Sequence, residues 1–554
     1  MIKTAPMKRD LFSLIVAIVI LFTCMLSLPA QEFRIPEVLL SRAEKTNFEE
    51  TSLNADVAAF CDAVGSMSNL ATVQRFGRTK DGNDLIMVIL ARPRITSAEE
   101  ALASGKPVIY IQANIHAGEV EGKEASIQLI REICFGHKAS LLDNQILIFC
   151  PNYNPDGNDK LAATNRPSQG GSPLLTGVRS SGEGLDLNRE GIKAEAIEMK
   201  SLLSGILLKW DPVLMVDLHT DNGSWHGYDL NYAPSFLSAG MPATTAYTTG
   251  NLLPEVTRMV LDRSGMPMFY HGYLRSRPGE PAAFSTYSHL PRYVVNYMGL
   301  RNRMAILSET FANIKFERRV LSNYLFLVSV LEYTNEFGKE MMEVARRADA
   351  ETVELIAGNK GELTRGVAFS MVAEPEKISL LTRETESYRD ETGRTRTRPT
   401  GRTHWVDSVI HMNRFEPRIV TNVPMGYYFP AELSNVAGKL EEHGIKVSVV
   451  QKRERINAEV FTITRFTQAQ RPSYGDHRTV TVEGSFSRKP VNIPAGSYFV
   501  DMRQPLAWLV LYMLEPQSDD GLLFWNYFDS YLIPRGVETK PVEFPVHKLM
   551  PSGK

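Results

Sequence analysis

The sequence predicts an α/β protein: a mixed, mostly parallel sheet with helices on both faces, followed by a smaller β-rich region. Three observations predict it. Short runs rich in Val, Ile and Leu at 85–91, 108–113, 145–150, 213–218 and 304–308 read as strands of a sheet covered on both sides. Segments with apolar residues at helical spacing alternate with them, such as Ile127, Ile130 and Cys134 with Leu129 and Ile133 beside them. From about Arg346 the composition changes to shorter strand-like runs and a single helical stretch at 431–444.

A chain of 554 residues, 43% hydrophobic and 22% charged, is too long for one ordinary core, so two folded domains are expected. With 61 Lys and Arg against 63 Asp and Glu, net charge -2, there is no electrostatic reason to expect nucleic acid or an anionic membrane surface as partner. Lys3, Lys8 and Arg9 precede an apolar run over 11–28 and then Pro29-Ala30-Gln31. Those are the parts of a secretory signal, so residues 1–30 are expected to be removed after Ala30 and the protein exported, to a periplasm or the medium. An uncleaved N-terminal anchor is the alternative, since the run approaches the length of a membrane span. Beyond Cys24 in that run remain Cys61, Cys134 and Cys150, which make no disulfide framework. The expected division is 1–30 signal, 31–345 catalytic domain and 346–554 β-rich ancillary domain.

Taken in order, 31–70 reads as polar and helical, with Asn47 and Thr51 as candidate caps. Strands at 85–91 and 108–113 precede a helix from Lys123 and a strand at 145–150. A helix at 194–208, a strand at 213–218, a strand at 304–308 and a helix at about 319–345 complete the first domain. Residues 382–402, crowded with Arg, Thr, Glu and Gly, predict a solvated loop. Runs at 418–423, 445–450, 460–463 and 480–482 predict strands, and 504–529 closes the second domain.

In such sheets ligands gather beyond the carboxyl ends of the strands, and chemically capable residues stand at four of those ends. His116-Ala117-Gly118-Glu119 follows one strand, Asn154-Pro155-Asp156-Gly157 the next, His219 follows Val216-Asp217-Leu218, and Glu309 follows Ile306-Leu307-Ser308. Each motif alone is cheap; agreement at four strand ends is not. An imidazole and a carboxylate three apart in a strand-to-helix turn converge on one cation, and a second His completes a two-His, one-Glu set for Zn2+, one ion per chain. His116, Glu119 and His219 are the candidate ligands. Hydrolysis also needs a carboxylate off the metal to move the water's proton, and Glu309, at the end of an apolar run, fits. Asn188-Arg189, within Gly184-Leu185-Asp186-Leu187-Asn188-Arg189, pairs a guanidinium with an amide donor, as capture of a chain-terminal carboxylate requires.

On these motifs, in this order and spacing over about 70–340, the chain resembles the zinc carboxypeptidases, the relatives of carboxypeptidase A. The resemblance implies zinc on His116, Glu119 and His219, Asn188 and Arg189 on the substrate's free C-terminal carboxylate, and Glu309 as general acid and base. It also implies an arginine that polarises the scissile carbonyl, for which Arg166 and Arg179 compete with Arg166 preferred. A tyrosine closing over the substrate is implied too, for which Tyr287 and Tyr297 compete, Tyr287 being preferred. His219 is followed by Thr220-Asp221 where the digestive enzymes have Ser-Tyr, which leaves the side-chain preference open. The partner implied is a peptide or protein with a free C-terminus. Two other functions compete: a zinc amidohydrolase acting on N-acyl amino acids or cell-wall peptides, which would not be expected to keep Asn188-Arg189, and a non-catalytic surface binding protein, which would not be expected to keep Glu309.

Overall fold

Apolar runs with no polar face have to be covered on both sides, and they become the middle of a sheet. The computed structural model describes residues 35–551 apart from 170, 237–239, 276–279 and 391–392; the expected signal at 1–30 lies outside them. The first ten strands are β1 (Ala71–Arg78), β2 (Asp84–Leu90), β3 (Val108–Ala113), β4 (Ile146–Cys150), β5 (Leu214–Thr220), β6 (Leu230–Pro234), β7 (Met268–Tyr270), β8 (Tyr273–Arg275), β9 (Ala283–Ser285) and β10 (Met304–Thr310). All but β8 and β9 form one sheet, ordered β1-β2-β4-β3-β5-β10-β6-β7. Its centre, β4, β3, β5 and β10, is parallel, and antiparallel strands flank it. The fold is α/β with a mixed sheet, as predicted. Among the described residues no helix is long and apolar enough to cross a membrane.

Alternation along the strands divides two cores. Ile109, Ile111, Phe149, Val216 and Ile306 face one, shared with helices α1 (Asn54–Met67), α2 (Glu121–Phe135), α3 (Leu253–Ser264) and α4 (Phe316–Ala357). Tyr110, Ile148, Met215 and Leu307 face the other. That second core continues without a break into the C-terminal region, taking in Tyr427, Phe461 and the helix α5 (Ala507–Leu514), all eight of whose residues are buried.

Several local readings change. Helix α4 ends at Ala357, not near Ala345: Ala348, Thr352 and Ile356 continue a buried stripe four residues apart, and the Trp508 indole donates to Thr352 Oγ1 at 3.1 Å. Position 346 therefore falls inside a helix. The helix expected from Ala194 starts only at Ile197, because Glu190 Oε2 accepts from the amides of Glu195 and Ala196 at 2.8 and 2.9 Å and holds them out of helical register. Asn47 and Thr51 cap nothing. Ser41 forms the capping box of the short helix Arg42–Lys45, Asp56 accepts from Leu53 N to start α1, and Thr51 donates to the buried Glu124 instead.

The largest change is at 382–402. This is not a loop but most of a long hairpin, β12 (Ile378–Arg389) and β13 (Thr395–Met412), which follows β11 (Thr364–Val372). Its exposed part has no apolar face to signal a strand; cross-strand ion pairs such as Arg398–Glu386 and Arg402–Glu384 line it instead. After β14 (Arg414–Asn422), which pairs with β11, the strands between 426 and 549 form a seven-stranded sheet.

Ahead of the π-widened turn that ends near Leu207, Glu198 is fully buried. Burial pushes its carboxyl up to about 7 against the pull of its own backbone amide, and Glu183 and Asp156 add repulsion. A folded-state value above the ordinary 4.5 means the folded protein binds more protons across that window, so stability falls as pH rises through it. Glu198→Gln removes the ionisable carboxyl. The variant is expected to melt above the wild type at pH 8, by an amount on the order of 2–3 kcal/mol, with the gap narrowing as pH falls towards 4.5. Calorimetry at several pH values checks this.

Candidate active site

Three strand ends and one tight turn assemble the site. After β3, Asn114 takes a left-handed conformation (φ 66), which Asn tolerates better than most residues; its amide nitrogen donates to Asn152 and Asn158 at 2.7 and 2.9 Å. The turn then closes through Glu119 N donating to His116 O at 2.9 Å, and α2 begins at Glu121. Gly118 leaves room for the Gly177 carbonyl, which an added Cβ would meet at 2.7 Å. On the parallel strands β5 and β10, His219 and Glu309 are partners in register. Both are the last residue but one of their strands, so neighbouring positions point the same way.

His116, Glu119 and His219 are buried, and one ligand atom from each lies within 4.8 Å of the others. His116 Nδ1 is 3.0 Å from Glu119 Oε1, and His219 Nδ1 is 2.8 Å from Glu119 Oε2. The far nitrogens are held as well: His116 Nε2 lies 3.0 Å from Asp186 Oδ1 and His219 Nε2 3.0 Å from Asp217 Oδ2. A carboxylate on Nε2 fixes the tautomer that leaves the Nδ1 lone pair for a metal. Burial works against the charge on His219, yet Asp217 and then Glu119 hold its imidazole well above the ordinary range. Burial likewise opposes ionisation of Glu119, and His116 and Arg166 overcome it, leaving the carboxyl well below its usual range. The donor set and this concentration of negative charge fit Zn2+.

Glu309 lines the same cavity. Its carboxyl is pushed up to about 8 by burial, with His219 opposing and Glu119 and Asp221 adding to the rise. The cavity, about 230 Å³, also has Asn188, Arg189, Arg179 and Tyr287 in its wall. Asn188 Nδ2 is 3.4 Å from His219 Nε2. Arg189 donates from Nη1 to Asn188 O at 2.7 Å and lies over the Tyr293 ring, 4.2 Å from its centroid, which leaves the edge of the guanidinium for a ligand.

The competing residues separate clearly. Arg166 does not line the cavity: it sits behind Glu119, donating to Oε1 at 2.8 Å and to the carbonyls of Thr220 and Asp221 at 3.0 Å each. Arg179 does line it, anchored by Nε to Asp186 Oδ2 at 2.9 Å. Tyr287 is in the wall, its hydroxyl donating to Asn296 Oδ1 at 3.1 Å. Tyr297 is buried elsewhere, its hydroxyl 2.6 Å from His443 Nδ1.

Sequence reasoning missed the roles of Asp186 and Asp217 and the presence of Asn222, His271, Tyr273, Ser288 and Tyr293 in the wall. Asp217 had a signal: on a strand it shares a face with His219 two residues on. His271 and Tyr273 had none, because the turn that brings them to the cavity is held by tertiary pairing, His271 N donating to Tyr232 O at 2.7 Å and Tyr273 pairing with Ser285.

Residues 57–231 match the zinc carboxypeptidase family model. Carboxypeptidase 2 of Trichophyton rubrum is 22% identical over 466 residues, covering 79% of this chain and 78% of the relative. Carboxypeptidase Z of Mus musculus is 30% identical over 129 residues, 22% of this chain and 18% of the relative. Among solved structures, a metallo-carboxypeptidase from Burkholderia cenocepacia aligns with TM-score 0.38 and 19% identity over 51% of this chain and 69% of that one. The matched segment contains His116, Glu119, Asn188, Arg189 and His219, which the fold brings to one cavity beside Glu309, so the part of the chain that matches the zinc carboxypeptidases is the part that builds a zinc metallopeptidase's metal set.

Proposed function

We propose that the protein removes single residues from the C-terminus of peptides that end in a free α-carboxylate. The observation that carries this reading is the position of Asn188 and Arg189 in the same cavity wall as the two-His, one-Glu set and Glu309. An enzyme indifferent to chain ends has no need of a guanidinium and an amide suited to a carboxylate in the same cavity as its metal set.

His116, Glu119 and His219 hold zinc, which supplies a Lewis acid and lowers the pKa of water. Asp186 and Asp217 keep the two imidazoles in the orientation that binds it. Arg189 and Asn188 grip the terminal carboxylate. Arg179, which reaches the cavity where Arg166 does not, faces the carbonyl of the bond to be cut and steadies the charge that develops on its oxygen. Glu309 takes a proton from the attacking water and returns it to the departing amine. Tyr287 covers the bound residue. Arg166 keeps Glu119 ionised and in place.

The positive residues, apolar run and small residues over 1–30 support export, to a periplasm or the medium, with cleavage after Ala30. The catalytic part lies within 31–345, supported by the position of the metal set and cavity residues before 310, and the ancillary part begins after helix α4 ends at Ala357. Incubating the zinc-loaded protein with mixed free-acid peptides and reading the products by mass is expected to give ladders shortened from the C-terminus only. Loss of N-acyl groups with intact C-termini would move the amidohydrolase reading to first place.

A further inference from the structure

Two cavity walls lie outside the central sheet. Asn222 stands on the loop that leads from β5 to β6, and His271, Tyr273, Tyr287 and Ser288 on the excursion around β8 and β9. Both segments find their backbone partners in the hairpin β12–β13 of the C-terminal region. On one side Gly227 N donates to Leu381 O at 2.7 Å, Arg383 N donates to Trp225 O at 3.0 Å, and His226 bridges to Thr382. On the other, β9 pairs in parallel with residues 410–412 of β13, Ile410 N donates to Ala282 O at 2.8 Å, and Thr286 N donates to Met412 O at 3.0 Å. A small apolar core of Tyr228, Phe284, Leu380 and Val409 fills the space between them.

One side chain ties this clamp to the catalytic part. Arg383, largely buried, donates to Asp229 Oδ1 at 2.8 Å and lies over the Phe311 ring, 4.3 Å from its centroid. Phe311 stands two residues after Glu309 and packs edge-on against His226, whose Nε2 is 2.9 Å from Asp221 Oδ2. Asp229 is shared with Arg318 of α4, at 2.8 Å.

Resting on the carboxypeptidase reading above, we propose that the β12–β13 hairpin is a positioning element for the substrate pocket, with Arg383 as its anchor: it holds the two walls that meet the terminal residue's side chain, so the C-terminal region takes part in substrate selection. Arg383 touches no residue of the metal set and makes no contact with the reacting bond. Its loss frees wall segments that bind substrate and transition state alike, so it acts on KM and on the choice of terminal residue rather than on kcat.

The test compares Arg383→Ala, Arg383→Lys and the wild type as full-length, zinc-loaded proteins, on two free-acid peptides that differ only in their last residue, one ending in Ala and one in Phe. For Arg383→Ala, zinc content stays at one per chain, kcat stays within about twofold, KM rises about five- to tenfold, and the preference between the two peptides shrinks. Arg383→Lys, which keeps the charge beside Asp229, recovers part of the loss. Hydrogen exchange reads the clamp without any turnover: in Arg383→Ala the Gly227 and Thr286 amides exchange faster while those of β3 and β5 do not. Unchanged KM and preference, or a fall in kcat and zinc content together, would overturn the proposal. So would unchanged exchange at Gly227 and Thr286. A wild type that shortens no free-acid peptide would instead be a failure of the carboxypeptidase reading, and the exchange measurement would still decide whether the hairpin holds the walls.

Discussion

Glu309→Gln is expected to keep a full complement of zinc and to lose roughly two to four orders of magnitude in turnover. The substitution preserves the shape of the side chain and its place opposite His219 on the parallel strands, but takes away the group that moves the proton. The metal set is a separate unit of the cavity: His116, Glu119 and His219 hold one another through Nδ1 contacts to both Glu119 oxygens, and Glu309 provides none of those contacts. His116→Ala is the contrast, since it removes a ligand and with it the zinc. Metal analysis and single-turnover kinetics on the two variants separate the roles. Near-normal turnover in Glu309→Gln would make that residue structural and send the search for the base elsewhere.

Amidating the C-terminus of a good peptide substrate is expected to slow its cleavage sharply, and Arg189→Ala is expected to erase the difference between free acid and amide. A paired carboxylate contact out of water loses roughly 2–5 kcal/mol when one partner is truncated. Arg189 is placed to make such a contact. Its guanidinium is braced by the Asn188 carbonyl and the Tyr293 ring, so little rotamer freedom remains to be lost on binding. The ratio of kcat/KM for acid over amide, measured in wild type and variant, is the quantity to follow. Equal cleavage of both peptides by the wild type would make Arg189 structural.

How much of this was legible in the sequence depended on what holds each residue. His116, Glu119, His219 and Glu309 were legible because their strands open on apolar runs, Val108 to Ile111, Leu214 to Val216 and Met304 to Leu307, and residues at the ends of such strands gather at one edge of the sheet. The choice between Arg166 and Arg179 was not. Both lie in the irregular stretch between Gly157 and Asn188, whose path is set by tertiary contacts such as Val178 N to Gly157 O at 2.9 Å and the Ala162–Thr176 bridge. No periodicity encodes those. The hairpin at 378–412 was illegible for a different reason: both of its exposed faces are charged, and charge alternation of that kind reads equally well as a solvated loop. The continuous core left no composition signal at all, since Thr352 and Trp508 are ordinary residues until they touch.

The register of β5 against β10 has one more consequence. His219 and Glu309 stand on adjacent strands whose spacing, about 4.8 Å, is a property of peptide hydrogen bonding and not of any side chain. The separation of the backbone positions that carry His219 and Glu309 is thus as stiff as the sheet itself, whereas two walls of the cavity are fastened from outside by separate peptide segments. The metal set and those walls are held by different backbone ladders, joined where Arg383 lies over Phe311. Changes in the outer segments can therefore give such an enzyme a new diet while its reaction geometry stays where the ladder put it.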